Sequence, residues 1–254
     1  MKNVIICDKE IGETPLECLE RMRIEYSIGK EIPMTYAGRL DPMAEGLLPI
    51  LIGEECKNKE KYMGLDKEYE IEILLGIETD SYDILGIIEN IKARKICLLA
   101  HKFFFLHKFR KKTSVPRDFS DIVIDFSGYI GKQSQKYPRY SSKIIAMKEI
   151  PEEMPEREVE IYLIDELGEI EKSGEEIARE SIDKIKKVNG DFRQEKIIES
   201  WQKFAEEYSK DKFKIIKLKV ACSSGTYMRV LAYRIGEDMG VGAIAMTIKR
   251  TKIC

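Results

Sequence analysis

The segment Tyr36-Ala37-Gly38-Arg39-Leu40-Asp41-Pro42-Met43-Ala44-Glu45-Gly46-Leu47-Leu48 sets one acid in a stiff loop that leads into an apolar run. An aspartate in such a loop either caps a turn or is a carboxylate presented for chemistry, and spacing alone leaves both open. A second segment, His101-Lys102-Phe103-Phe104-Phe105-Leu106-His107-Lys108-Phe109-Arg110-Lys111-Lys112, interleaves aromatic rings with cations. That mixture suits phosphate contacts and base stacking, or an amphipathic stretch with its phenylalanines in a core. Six scattered cysteines (Cys7, Cys18, Cys56, Cys97, Cys222 and Cys254) include no Cys-x-x-Cys pair, and His101 and His107 are the only histidines. The spacing does not suit a zinc site, so reduced, buried thiols are expected, with no metal.

The elements that must position these groups are partly readable. Val4–Cys7 reads as a strand, and Thr14-Pro15-Leu16-Glu17 forms a capping box that opens a helix with Leu16, Leu19 and Met22 as its buried stripe. Tyr69, Ile71, Ile73 and Leu75 alternate with Glu68, Glu70 and Glu72, the period of a half-buried strand. Ile216, Leu218, Val220 and Cys222 repeat that pattern, and a helix is expected from Thr226 onward. Residues 175–209 read as charged, helical and peripheral. With no repeat, linker or βαβ rhythm, the expectation is a single α+β domain over 1–254 with a mixed sheet.

Charge and hydropathy bound the function classes. Net charge is −2, yet residues 91–119 carry nine Lys/Arg against one acid, 151–180 twelve acids against three cations, and 211–254 nine cations against three acids. Binding to a polyanion depends on the local field, so the balance does not veto it. The longest apolar run is far short of the ~20 residues of a membrane span, and the N-terminus has no secretory h-region. A cytoplasmic, monomeric protein without membrane contact is expected.

Several motifs in register resemble the tRNA pseudouridine synthase B family. Beside the Asp41 segment, they are Lys67-Glu68-Tyr69, Gly76-Ile77-Glu78-Thr79-Asp80-Ser81-Tyr82-Asp83-Ile84-Leu85-Gly86, Ser224-Gly225-Thr226-Tyr227-Met228-Arg229, and Gly240-Val241-Gly242-Ala243 with Lys249-Arg250-Thr251. The resemblance implies a pseudouridine synthase fold, a largely antiparallel central sheet flanked by helices. It implies isomerisation of a uridine in the T-stem loop of tRNA, without cofactor or metal. Asp41 would be the catalytic carboxylate, Arg229 its cationic partner and Tyr69 the ring stacked on a flipped uracil. Tyr36, Tyr227, Ile248, Lys9 and Arg250 match further substrate-binding positions. Tyr36 stands where bacterial members usually carry His, and Arg39-Leu40-Asp41 resembles the triplet of ribosomal large-subunit uridine synthases, which offers ribosomal RNA as an alternative substrate. The Gln135–Lys143 stretch resembles a family element but is shortened, and a single domain without the C-terminal RNA-binding (PUA-type) domain that many members append is expected. A non-catalytic RNA-binding or RNA-folding protein on this scaffold is the competing class. The basic blocks 91–119 and 211–254 are expected to share a face with Asp41, and the acidic block 151–180 to face elsewhere.

Overall fold

A computed structural model of the chain describes residues 3–92, 124–140, 151 and 153–254. Strands follow where branched and aromatic residues alternate with charges: β1 (Val4–Lys9), β2 (Met34–Tyr36), β3 (Ala44–Ile52), β4 (Lys67–Leu75), β5 (Ile77–Thr79), β6 (Ile88–Ile91), β7 (Gly131–Lys136), β8 (Glu156–Ser173), β9 (Lys212–Cys222) and β10 (Ala243–Ile253). The helices are α1 (Pro15–Glu25), α2 (Lys59–Gly64), α3 (Gly174–Ile185), α4 (Gln194–Tyr208) and α5 (Met228–Asp238). The large sheet runs β1-β3-β10-β4-β9-β8-β7, with β2 paired onto β3, and β5 and β6 form a separate ribbon. Every pairing is antiparallel except β10 with β3. The expected α+β class with a mixed, largely antiparallel sheet is what the chain adopts.

The two-residue side-chain period sends odd and even positions of β4 to opposite faces. Tyr69, Ile71, Ile73 and Leu75 join Leu218 and Val220 beneath Leu231 and Ile235 of α5. On the other face Leu74, Ile215 and Ile244 are covered by Ile177 and Ile185 of α3 and by Trp201 and Phe204 of α4. A third cluster packs α1 through Cys18, Leu19 and Met22 onto Ile5, Cys7, Leu48 and Ile50.

Three expectations need correction. The capping box is present, with Glu17 N–H donating to Thr14 Oγ1 at 3.2 Å and Thr14 N–H to Glu17 Oε2 at 2.7 Å. Leu16, however, is exposed, and Cys18 takes its place in the buried stripe. The 175–209 region is not peripheral: Trp201 is fully buried, and its indole N–H donates to the Ile84 carbonyl at 3.1 Å. Nor do the charge blocks segregate. β8 from the acidic block pairs with β9 from the basic block, and Lys214 meets Glu169 at 2.5 Å across that seam. The segment 101–112, both histidines, Cys97 and most of the 91–119 block lie outside the described residues.

Candidate active site

Asp41 sits in the loop between β2 and β3. Ala44 N–H donates to the Asp41 carbonyl at 2.9 Å, closing the turn, and Gly12 N–H donates to the Pro42 carbonyl at 2.8 Å. Lys9, at the end of β1, is fully buried; its ammonium donates to the carbonyls of Ala44 at 2.6 Å and Glu10 at 2.9 Å. Burial lowers the Lys9 pKa to about 8, opposed by the Glu13 charge. These bonds fix the backbone on which Asp41 rides, while its side chain stays 31% exposed. Gly38, φ +78°, lets the chain pass over the Arg250 guanidinium, whose Nη1 would lie 3.4 Å from an added Cβ.

Arg229 occupies the first turn of α5 and is buried. Its Nε lies 2.8 Å from Asp41 Oδ2 and 3.5 Å from Asp83 Oδ2, and its Nη1 donates to the Ser81 carbonyl at 2.9 Å. The Asp41 contact is an ion pair without full hydrogen-bond alignment at Nε, and Nη2 has no hydrogen-bond partner among the described residues. The arginine therefore bridges two carboxylates rather than gripping one in a two-pronged bond.

Asp83 is the buried member of this group. It accepts from Ser81 Oγ at 2.5 Å and from Leu85 N–H at 3.0 Å. Desolvation raises its pKa to about 6, against the lowering pull of Arg229 and Ser81. Between Ser81 and Asp83, Tyr82 adopts a left-handed backbone, φ 64°, with its ring stacked on Tyr233 of α5 at 4.2 Å. A non-glycine residue rarely holds that conformation, and here it turns the Ser81 carbonyl and the Asp83 carboxylate toward the same guanidinium.

Asp41 and Arg229 open on a cavity of about 690 Å³ whose lining also includes Tyr69, Tyr227, Ile248 and Arg250. Tyr69 is buried on β4, and desolvation raises its hydroxyl pKa, opposed by the Arg250 charge. Tyr227 meets Tyr137 edge to face at 5.6 Å, and its backbone N–H donates to Gln135 Oε1 at 2.9 Å. Arg250 is almost wholly buried and donates from Nε to the Leu47 carbonyl at 2.6 Å. Tyr36 and Lys9 are not in the lining: Tyr36 lies outside with Lys59 over its ring at 5.2 Å, and Lys9 acts behind the loop. The structure thus gathers six of the eight candidate residues around one cavity.

Four further groups belong to the site without having stood out individually in the sequence: Asp83, Ser81, Lys67 and Arg157. The first two lie in the Gly76–Gly86 motif, and Lys67 shares the strand parity of Tyr69, a signal sufficient to place it on this face. Lys67 donates to the carbonyls of Met63, at 2.8 Å, and Leu65; burial and the nearby Arg250 lower its pKa to about 8. Arg157 reaches the cavity from within the acid-rich block, over Gly225. Among the described residues no group of three His, Cys, Asp or Glu side chains forms a potential metal site.

Comparison with known proteins adds identity to this geometry. Residues 28–180 match the family described as TruB family pseudouridylate synthase (N terminal domain). The chain is 26% identical over 249 residues to tRNA pseudouridine synthase B of Borreliella afzelii, covering 98% of this chain and 68% of that protein. It is 28% identical to the proteins of that name from Dechloromonas aromatica and Chloroherpeton thalassium, spanning 63% and 82% of their lengths. Among solved structures, a Cbf5-Nop10-Gar1 complex contains a chain of the same fold, with TM-score 0.51 at 18% identity over 98% of this chain and 48% of that one.

Proposed function

The chain belongs to the TruB pseudouridylate synthase family, and on that premise we propose that it isomerises a uridine of tRNA, in the T-stem loop, to pseudouridine. The reaction breaks the N1–C1′ glycosidic bond, turns the uracil and joins its C5 to C1′. Asp41 is the catalytic carboxylate, attacking C1′ or taking a proton from C2′. Either role places a carboxylate in a site from which the base displaces water, and the Arg229 guanidinium at 2.8 Å supplies the neighbouring positive charge.

One observation carries the reading: the part-exposed Asp41 carboxylate, held by a buried arginine, faces a cavity walled by Tyr69. A uridine stacked in an RNA loop cannot reach an acid at such a depth, so the nucleotide flips out of its stack into the cavity. Tyr69 then offers a ring face, and Ile248 and Tyr227 close the remaining walls. The relatives' names, tRNA pseudouridine synthase B, support tRNA as the substrate.

Asp41→Asn tests the chemistry because it keeps the shape and removes the charge. Its single-turnover rate on a tRNA transcript, read by release of the uridine C5 hydrogen, should fall to the limit of detection while RNA affinity changes little. Turnover retained in this variant would refute the role of Asp41. Mapping the product nucleotide in the same transcript checks the T-loop position.

A further inference from the structure

The pocket chemistry leaves unused a pair of thiols beneath α1. Cys7 on β1 and Cys18 on α1 are both free and buried, and their Sγ atoms lie 2.8 Å apart. A disulfide needs about 2.05 Å between sulfurs, so the two atoms have about 0.8 Å left to close. Cys7 also faces the Leu48 carbonyl at 3.3 Å, and the Arg21 guanidinium, paired with Glu13, reaches within 3.8 Å of Cys18. We propose that Cys7 and Cys18 form a redox-modification site, a dithiol that closes to a disulfide when it meets a small disulfide oxidant such as oxidised glutathione.

The step balances within that exchange. One protein thiolate attacks a glutathione sulfur and expels one glutathione thiolate; the second protein thiol then displaces the other. Two protons and two electrons leave the protein, and the oxidant is reduced to two thiols. Accepting the Cys18 S–H bond holds the Cys7 thiol below its usual range, and the same bond together with burial pushes Cys18 up. Because both thiols are buried, exchange proceeds through local opening of α1, which lies over the β1 end of the sheet.

The position gives the bond a consequence. The loop closed between residues 7 and 18 contains Lys9 and Gly12, which hold the carbonyls of Ala44 and Pro42 just after Asp41. Oxidation staples the segment that fastens the Asp41 loop, and it does so whatever reaction the cavity performs.

Trypsin separates the two cysteines into peptides 3–9 and 10–21. After the native full-length chain is treated with oxidised glutathione, we expect these peptides joined and lighter by two hydrogens. Thermal unfolding should shift upward by about 5–10 °C, as closing a short loop predicts for a chain of this size, and dithiothreitol should reverse both effects. Cys56→Ser, which changes a thiol elsewhere, should keep the response, and Cys18→Ser should lose it. Recovery of the peptides as separate glutathione adducts, a link from either cysteine to a different one, or a link with no thermal shift would each overturn the proposal. The peptide map is read on the unmutated protein, so it does not depend on any variant folding.

Discussion

Two groups of ion pairs on the same sheet use the same residue types to different ends. On the same face of β4 as Leu74, nearer the start of the strand, Glu72 pairs with Lys217 at 2.9 Å, while Glu68 meets Lys219 at 3.0 Å and Lys252 at 3.2 Å. These are cross-strand neighbours on β4, β9 and β10, Glu68 is shared by two lysines, and the lysines remain wet. On the opposite side, one buried arginine is shared between Asp41 and Asp83 and has a donor without a hydrogen-bond partner among the described residues. Exposed pairs are worth about 0.2–1 kcal/mol, because water screens the attraction and solvates either ion when the pair breaks. A buried group has no such fallback, so losing one member costs far more than the pair itself contributes. In the ladder water still reaches the cations; at the shared arginine it does not.

Arg229→Met should break the contrast most severely. It leaves two carboxylates near each other with no cation, one of them buried, and should cost about 3–5 kcal/mol in urea unfolding. Because the proposed catalytic carboxylate loses its neighbouring cation, turnover should drop much further than RNA affinity, which is spread over many phosphate contacts. Single-turnover and binding assays on the variant separate the two; equal losses in both would make Arg229 mainly an RNA contact.

Asp83 sharpens the contrast through pH. Its folded pKa, about 6, lies above the ordinary carboxylate value of 3.8. The folded state thus holds this proton more tightly than the unfolded chain, and the associated stability is fully present below about pH 4 and is lost as pH rises through 6. Arg229 and Asp41 are the charges that face it, pulling in opposite directions. The difference in unfolding free energy between the wild type and Asp83→Asn should fall between pH 4 and 7, by about 3 kcal/mol at most. Chemical denaturation across that range checks it, and a pH-independent difference would show that Asp83 titrates normally.

The smallest effect is expected in the ladder. Glu72→Gln keeps a partner for Thr247 Oγ1, which now donates to Glu72 at 2.7 Å, and removes the charge that faces Lys217 and, at longer range, Lys184. Stability should drop by less than about 1 kcal/mol at low salt. The loss should shrink further at 1 M salt, where screening acts within about 3 Å. A larger, salt-insensitive loss would place this pair with the buried group rather than the wet one.

Local patterns make part of this molecule legible in the amino-acid sequence alone. The alternation in β4 puts Tyr69 on the core face, the capping box begins α1, and the Gly-Pro loop singles out Asp41. Each depends on neighbours a few residues away. The Arg229–Asp83 contact does not: it depends on how the 79–86 turn is folded against α5, and no spacing along the chain encodes that meeting. The covering role of α4 is hidden for a different reason. Ile197, Trp201 and Phe204 stand at helical spacing, but the many charges around them give the region the composition of a solvated surface. Charge blocks mislead in the same way, since net charge along a segment says nothing about which neighbouring strand neutralises it.

The place of β10 bears on how the molecule is made. It lies between β3 and β4, parallel to the first and antiparallel to the second, so strands from early in the chain wait for the last one before the sheet is whole. At about 5–20 residues per second, roughly 10–40 s of synthesis separate Asp41 from Arg229. During that interval β3 and β4 each present an unpaired edge, the form of a nascent chain most open to pairing with a neighbour. Asp41 meanwhile has no counter-ion. Assembly of the site thus waits on synthesis well downstream of the Asp41 loop, and non-local closure of this kind makes for slow folding. The hazard falls on the ribosome-bound chain, where a holdase covering the β3 and β4 edges would have its greatest effect.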